Sequence, residues 1–172
     1  MEAKDVTEMK QNRNSREYVL EAVRKKGKLL EFAAPEFQDD EEVVKTALTQ
    51  DGEAMEFVSK RLRNNKELVL LAINGAPWTA CYASEALKAD KEVIMESVKT
   101  YGQTLYYASE RLRDDREVVK TAIENKGLII KYASLRLRDQ KDIAEIAVKQ
   151  NKESYHFLSA RLKQDEQIKA LL

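Results

Sequence analysis

The sequence predicts an all-α fold, an α-solenoid of six 25-residue helix-turn-helix repeats plus a C-terminal half repeat. Three observations carry that expectation. One is an ungapped 25-residue period. Another is apolar residues at helical rather than strand spacing. The third is a scarcity of breakers, with Gly 5 and Pro 2 in 172 residues.

Repeat starts fall at Asn14, Asp39, Asn64, Ala89, Asp114 and Asp139, and a half repeat follows from Gln164. In the fifth and sixth positions stand Tyr18-Val19, Val43-Val44, Leu68-Val69, Val93-Ile94, Val118-Val119 and Ile143-Ala144. Four residues later come Ala22-Val23, Ala47-Leu48, Ala72-Ile73, Ser97-Val98, Ala122-Ile123 and Ala147-Val148. Spacing of i, i+1, i+4, i+5 is the buried stripe of an α-helix. Asn14, Asp39, Asn64, Asp114 and Asp139 can accept from the free amides of the first turn, and the acid three residues later suggests a capping box. Ala89 has no acceptor, so Asp90 is the substitute there. Gly27, Gly52, Gly102 and Gly127 then suit a left-handed helix end, with Pro77 and Lys152 standing at that place in repeats three and six.

A second helix follows, with Ile130, Ala133, Ser134 and Leu137 as its buried line in repeat five. An aromatic precedes the alanine column in every repeat: Phe32, Phe57, Tyr82, Tyr107, Tyr132 and Phe157. Such a helix is apolar over more than one stripe, as expected when neighbouring repeats cover both flanks. Residues 1–13 fall outside the period, are polar, and are expected to be a flexible extension, frayed or weakly helical; 14–172 form the solenoid. Lys169 in the half repeat stands where five of the six full repeats carry Val or Ile, which fits either a capping helix or a piece of a longer array.

The most complete repeat reads Asp114-Asp115-Arg116-Glu117-Val118-Val119, then Ala122-Ile123, Gly127, Tyr132-Ala133-Ser134 and Leu137-Arg138. This resembles the tandem-repeat family catalogued as domain of unknown function 4116, over Asn14 to Lys163. Repeat one departs from it with Ala34-Pro35-Glu36-Phe37, and repeat three at its Pro77 turn. The resemblance implies a helical repeat and no activity, so no functional residue is carried over.

Composition narrows the function. Lys+Arg 30 against Asp+Glu 30 gives no net charge, which argues against a general polyanion binder. One cysteine, Cys81, and one histidine, His156, cannot make a disulfide or the usual zinc ligand set. No apolar run is long enough to span a bilayer, and Met1-Glu2-Ala3-Lys4-Asp5 lacks the apolar segment of a secretory signal, so a cytoplasmic setting is the default and no membrane partner is expected. The serines Ser59, Ser84, Ser109, Ser134 and Ser159 have no recurring histidine as base, and read as small buried residues bonding backbone carbonyls. With neither a phosphate-cradling loop nor a metal cluster, the sequence predicts no cofactor and no enzyme.

Two surfaces remain. Large apolar residues stand where sister repeats place charges: Trp78 in repeat three, Tyr101 and Tyr106 in repeat four, Leu128 and Leu135 in repeat five, with Cys81 a small filler. They predict a stripe that docks a protein or peptide, with Arg111, Arg113, Arg136 and Arg138 as a polar rim. The competing reading of Trp78 is that it folds back over the Pro77 turn. That rim also suits the helix dipole and adjacent pairs such as Arg113–Asp114 and Arg138–Asp139. The alternative surface is a basic line on the first helices, Arg16, Arg24, Lys45, Lys66, Lys91, Lys99, Arg116, Lys120, Lys141 and Lys149. Within it Lys91, Lys99, Arg116 and Lys120 are the candidate contacts for a nucleic acid or other anionic partner.

Overall fold

The start of every full repeat but the sixth, where Gln140 holds the cap position without a side-chain hydrogen bond, is decided by a side chain that captures free amides. In the computed structural model, which describes residues 3–172, the caps are Ser15, Asp40, Asn65, Asp90, Asp115 and Asp165, each accepting from amides two or three residues on. That is one residue later than the sequence expectation, except at Asp90. Both columns are rich in Asp and Asn, so side-chain type alone does not choose between them. The first column is otherwise engaged: Asp39 ends the preceding short helix with φ −111° and ψ 3°. The expected capping boxes do not form, because Glu42, Glu67 and Glu117 fall two residues after the cap. There they still complement the helix dipole.

The first helices run Arg16–Lys25, Glu41–Gln50, Lys66–Gly75, Lys91–Val98, Arg116–Asn125 and Lys141–Gln150. They bury the expected stripe, for example Val118, Val119, Ala122 and Ile123. Full burial of such a branched side chain contributes roughly 1.5–3 kcal/mol before the cost of ordering it.

The second helix is not one helix. Repeat five has a 3-10 segment Gly127–Tyr132, then Ala133 and Ser134 in extended conformation, then a single α-turn Leu135–Arg138. Ser134 caps that turn by accepting from Leu137 N, and is half-buried rather than part of the core. An i, i+3 apolar pattern fits a 3-10 and an α-helix equally. The interruption is signalled by the serine, a good cap placed ahead of the last buried leucine. Backbone rungs tie consecutive short turns together: Ser59 N donates to Gln38 O at 3.0 Å and Ser134 N to Arg113 O at 2.9 Å.

The glycines do not end helices in a left-handed conformation, for none of the described residues has a positive φ. They are needed for close approach. A Cβ on Gly102 would stand 2.6 Å from the carbonyl oxygen of Ala122 in the next repeat. Gly27, Gly52 and Gly127 meet the equivalent oxygens of Ala47, Ala72 and Ala147 more closely still. A side-chain amide from the next repeat completes the joint, as where Gly102 N donates to Asn125 Oδ1 at 2.9 Å and Gly127 N to Gln150 Oε1 at 2.6 Å.

The chain forms two compact units, Met1–Leu87 and Lys88–Leu172. In the first unit the N-terminal segment forms a helix over Ala3–Gln11 that buries Met9 completely and sets Asp5 against Lys26. Met1 and Glu2 lie outside the described residues. Apolar Met9 at the inward position is the signal that the polar composition of 1–13 obscured. In the second unit the half repeat is a short helix, Glu166–Lys169, that buries Ile168 and pairs Lys169 with Glu166 at 2.9 Å.

Candidate functional site

The 3-10 geometry decides which side chains face out. With three residues per turn, Leu128 and Lys131 share a line on the repeat-five segment, opposite the buried Ile130. On the preceding segment, Gly102–Tyr106, Tyr106 stands at the same repeat position as Lys131. Within the second unit these elements gather Tyr101, Tyr106, Tyr107, Leu128, Lys131 and Tyr132 around a cleft of about 330 Å³. Tyr106 is 54% exposed, Tyr107 40% and Leu135 75%. The Tyr106 ring packs on Tyr107 and on Tyr132, both at 4.9 Å between centroids, with planes at 75° and 57°. Lys131 places its ammonium 4.9 Å from the Tyr132 ring centre.

Four of the five expected docking residues thus stand in repeats four and five, with Leu135 on an adjoining cleft of about 700 Å³ that also holds Arg113, Arg136 and Arg138. Trp78 belongs to the first unit, half-buried, with its ring edge-on to Tyr82 at 5.8 Å. The sequence reading missed Tyr107, Tyr132 and Lys131. It placed the aromatic column under neighbouring repeats, whereas Tyr107 is exposed and Tyr132 only half-buried. The signal was that this column holds tyrosine in repeats three to five and phenylalanine in repeats one, two and six. A phenol keeps its hydroxyl at the water boundary.

The arginine rim is built differently from the expected neighbour pairs. Arg136 Nε donates to Asp114 at 3.0 Å and another guanidinium nitrogen to the Asp114 carbonyl at 2.7 Å, while the Ser134 hydroxyl donates to the same carboxylate. The clip recurs as Asp39–Ser59–Arg61 and Asp139–Ser159–Arg161. The serines are therefore caps, and Ser59, Ser134 and Ser159 also carboxylate donors, rather than carbonyl-bonding core residues. Repeat three keeps only Ser84 on Asn64 at 2.6 Å, and in repeat four Arg111 reaches the Ala89 carbonyl at 2.7 Å. Arg113 lies 4.0 Å from Glu110, and Arg138 donates to the Phe157 carbonyl at 3.3 Å.

The serine bond, then the arginine, holds the carboxyls of Asp39, Asp114 and Asp139 below their ordinary value of 3.8. A folded-state value lower than the unfolded one makes the unfolded chain take up protons first on acidification. The contribution is complete above 3.8 and disappears as pH falls through the depressed folded value. Thermal melts followed across acid pH are expected to show a shallower loss for the triple variant Asp39→Asn/Asp114→Asn/Asp139→Asn than for the wild type. An unchanged slope would contradict the clip's role.

On the first helices, cations meet acids of the following repeat. Lys91 contacts Asp115 at 2.9 Å and Glu117 at 2.7 Å, and Arg116 pairs with Asp142. Lys99 pairs with Glu96 at 2.8 Å and Lys120 with Glu124 at 3.7 Å. Exposed pairs of this kind add little stability, yet each carboxylate cancels field that a phosphate would feel. Among the described residues no group of three or more His, Cys, Asp or Glu side chains could hold a metal ion, and no helix is long and apolar enough to cross a membrane.

Fold and repeat joints together define an all-α tandem-repeat protein. The chain belongs to the family described as Domain of unknown function (DUF4116), whose pattern matches residues 15–63, 40–88, 65–113, 90–138 and 115–163. Each window covers two repeats and begins on a helix cap: Ser15, Asp40, Asn65, Asp90 and Asp115. No curated protein and no solved structure matches the chain.

Proposed function

We propose that the chain is a non-catalytic repeat scaffold that docks a peptide segment of a partner protein on the tyrosine-lined face of repeats four and five. The observation that carries this reading is exposure at positions the fold does not need. Tyr106 stands where repeats one and two carry Glu31 and Glu56, and Leu135 where repeats two to four carry Lys60, Glu85 and Glu110. A grouped set of exposed rings and a leucine beside a cleft is the usual character of an interface. Tyrosine adds large contact area at small entropic cost, because only two side-chain torsions must be fixed.

Its test is selection of a phage-displayed random peptide library on the wild type, followed by binding to Tyr106→Ala/Leu135→Ala. Selected peptides are expected to bind the double variant roughly tenfold or more weakly, with the circular dichroism spectrum unchanged. Equal affinity for both proteins would overturn the reading. The competing anionic-partner reading needs Lys91, Lys99, Arg116 and Lys120 to leave their carboxylates. Oligonucleotide binding with a steep salt dependence that reversal of those four charges removes would favour it.

A further inference from the structure

We infer that the peptide taken by this face is acidic, its carboxylates flanking one leucine or aromatic anchor; this rests on the docking reading above. Two clefts meet at Lys131 and Tyr132, which line both. The smaller, about 330 Å³, is walled by Tyr101, Tyr106 and Leu128 and suits a single bulky apolar side chain. The larger, about 700 Å³, is open and charged.

Their ionic lining is one-sided. Lys126, Lys131, Arg113, Arg136 and Arg138 face Glu110 and Asp114, in a chain whose total charge is zero. Arg136 and Asp114 satisfy one another, and Glu110 is 94% exposed at 4.0 Å from Arg113. Lys126, Lys131 and Arg138 are left around the clefts with no carboxylate partner among the described residues. Fixed cations beside an apolar slot select a sequence with acids next to the anchor.

The rings favour a peptide over a single-stranded nucleic acid. Base stacking needs open aromatic faces, and here Tyr106 turns edges and faces toward Tyr107 and Tyr132. Leu128, Ile129 and Leu135 give the lining the character of a side-chain slot.

The peptide selection tests this directly. The tightest peptide is synthesised with a fluorescent label, alongside a copy whose Asp and Glu are replaced by Asn and Gln. Expected results are an acidic selected consensus, roughly tenfold weaker binding of the amide copy, and a similar loss on Lys131→Glu. Neutral or basic peptides that still depend on Tyr106 and Leu135 would sink the acidic inference and leave the docking reading standing. Displacement of the peptide by oligouridylate at equal ionic strength would overturn it in favour of a nucleic acid. Peptides indifferent to Tyr106 and Leu135 would remove the docking reading and this inference together.

Discussion

Gly52→Ala is expected to lower the stability of the protein by about 3 kcal/mol, while Gly75→Ala changes it by less than about 1 kcal/mol, in the stabilising direction. Both residues accept alanine conformationally, since neither has a positive φ. What differs is what lies across the repeat joint. A Cβ on Gly52 would fall on the Ala72 carbonyl oxygen and within 3.1 Å of Ala76 N, atoms already bonded to each other at 2.8 Å. Backbone on both sides leaves nothing to rotate away, so the joint must open. A Cβ on Gly75 would meet Gly52 N at 3.5 Å, an ordinary contact, at the exposed end of the helix Lys66–Gly75. There the smaller freedom of the unfolded alanine chain is the main effect. Urea unfolding of the two variants checks this; similar midpoints for both would refute the close-approach account.

A second large effect is expected at a buried hydroxyl pair in repeat four. Ser97 and Thr104 are completely or almost completely buried and share a hydrogen bond of 2.5 Å. Sister repeats hold alanine at the Ser97 position, and leucine, alanine or isoleucine at the Thr104 position in repeats one, two and five. Ser97→Ala alone leaves the threonine hydroxyl without that partner in an apolar core, at a cost of about 1–3 kcal/mol. Ser97→Ala/Thr104→Val removes both polar groups at nearly constant shape and is expected to restore or exceed wild-type stability. Additive losses in the double variant, measured by chemical unfolding, would show that the pair is not coupled.

The 25-residue period, the buried stripe of the first helices and the tandem-repeat family were all legible in the sequence. A repeat exposes each structural role several times, so chance apolar residues average out. The joints were less legible for specific reasons. Asp39-Asp40 and Asn64-Asn65 offer two adjacent capping side chains, and only the clip to Ser59 or Ser84 assigns the first. Gly102 reads alike as a helix terminator or as a close-approach residue until the Ala122 carbonyl is in place. The 3-10 segments share their i, i+3 pattern with α-helices, which hid the turn that brings Tyr106, Tyr107 and Tyr132 together. Leu128 and Leu135 were found because their columns hold charges elsewhere. Lys131 was missed because a lone lysine in a mixed column carries no such contrast.

The most direct test of the docking face is fluorine NMR on protein whose tyrosines are replaced by 3-fluorotyrosine. Seven tyrosines give a small set of signals, assigned by single Tyr→Phe changes. Titration with the selected peptide is predicted to shift Tyr101, Tyr106, Tyr107 and Tyr132 together, with one midpoint, and to leave Tyr18 and Tyr155 in place. Saturable binding that moves Tyr18 or Tyr155 and leaves the cluster unchanged would contradict the account and put the binding surface elsewhere on the repeats.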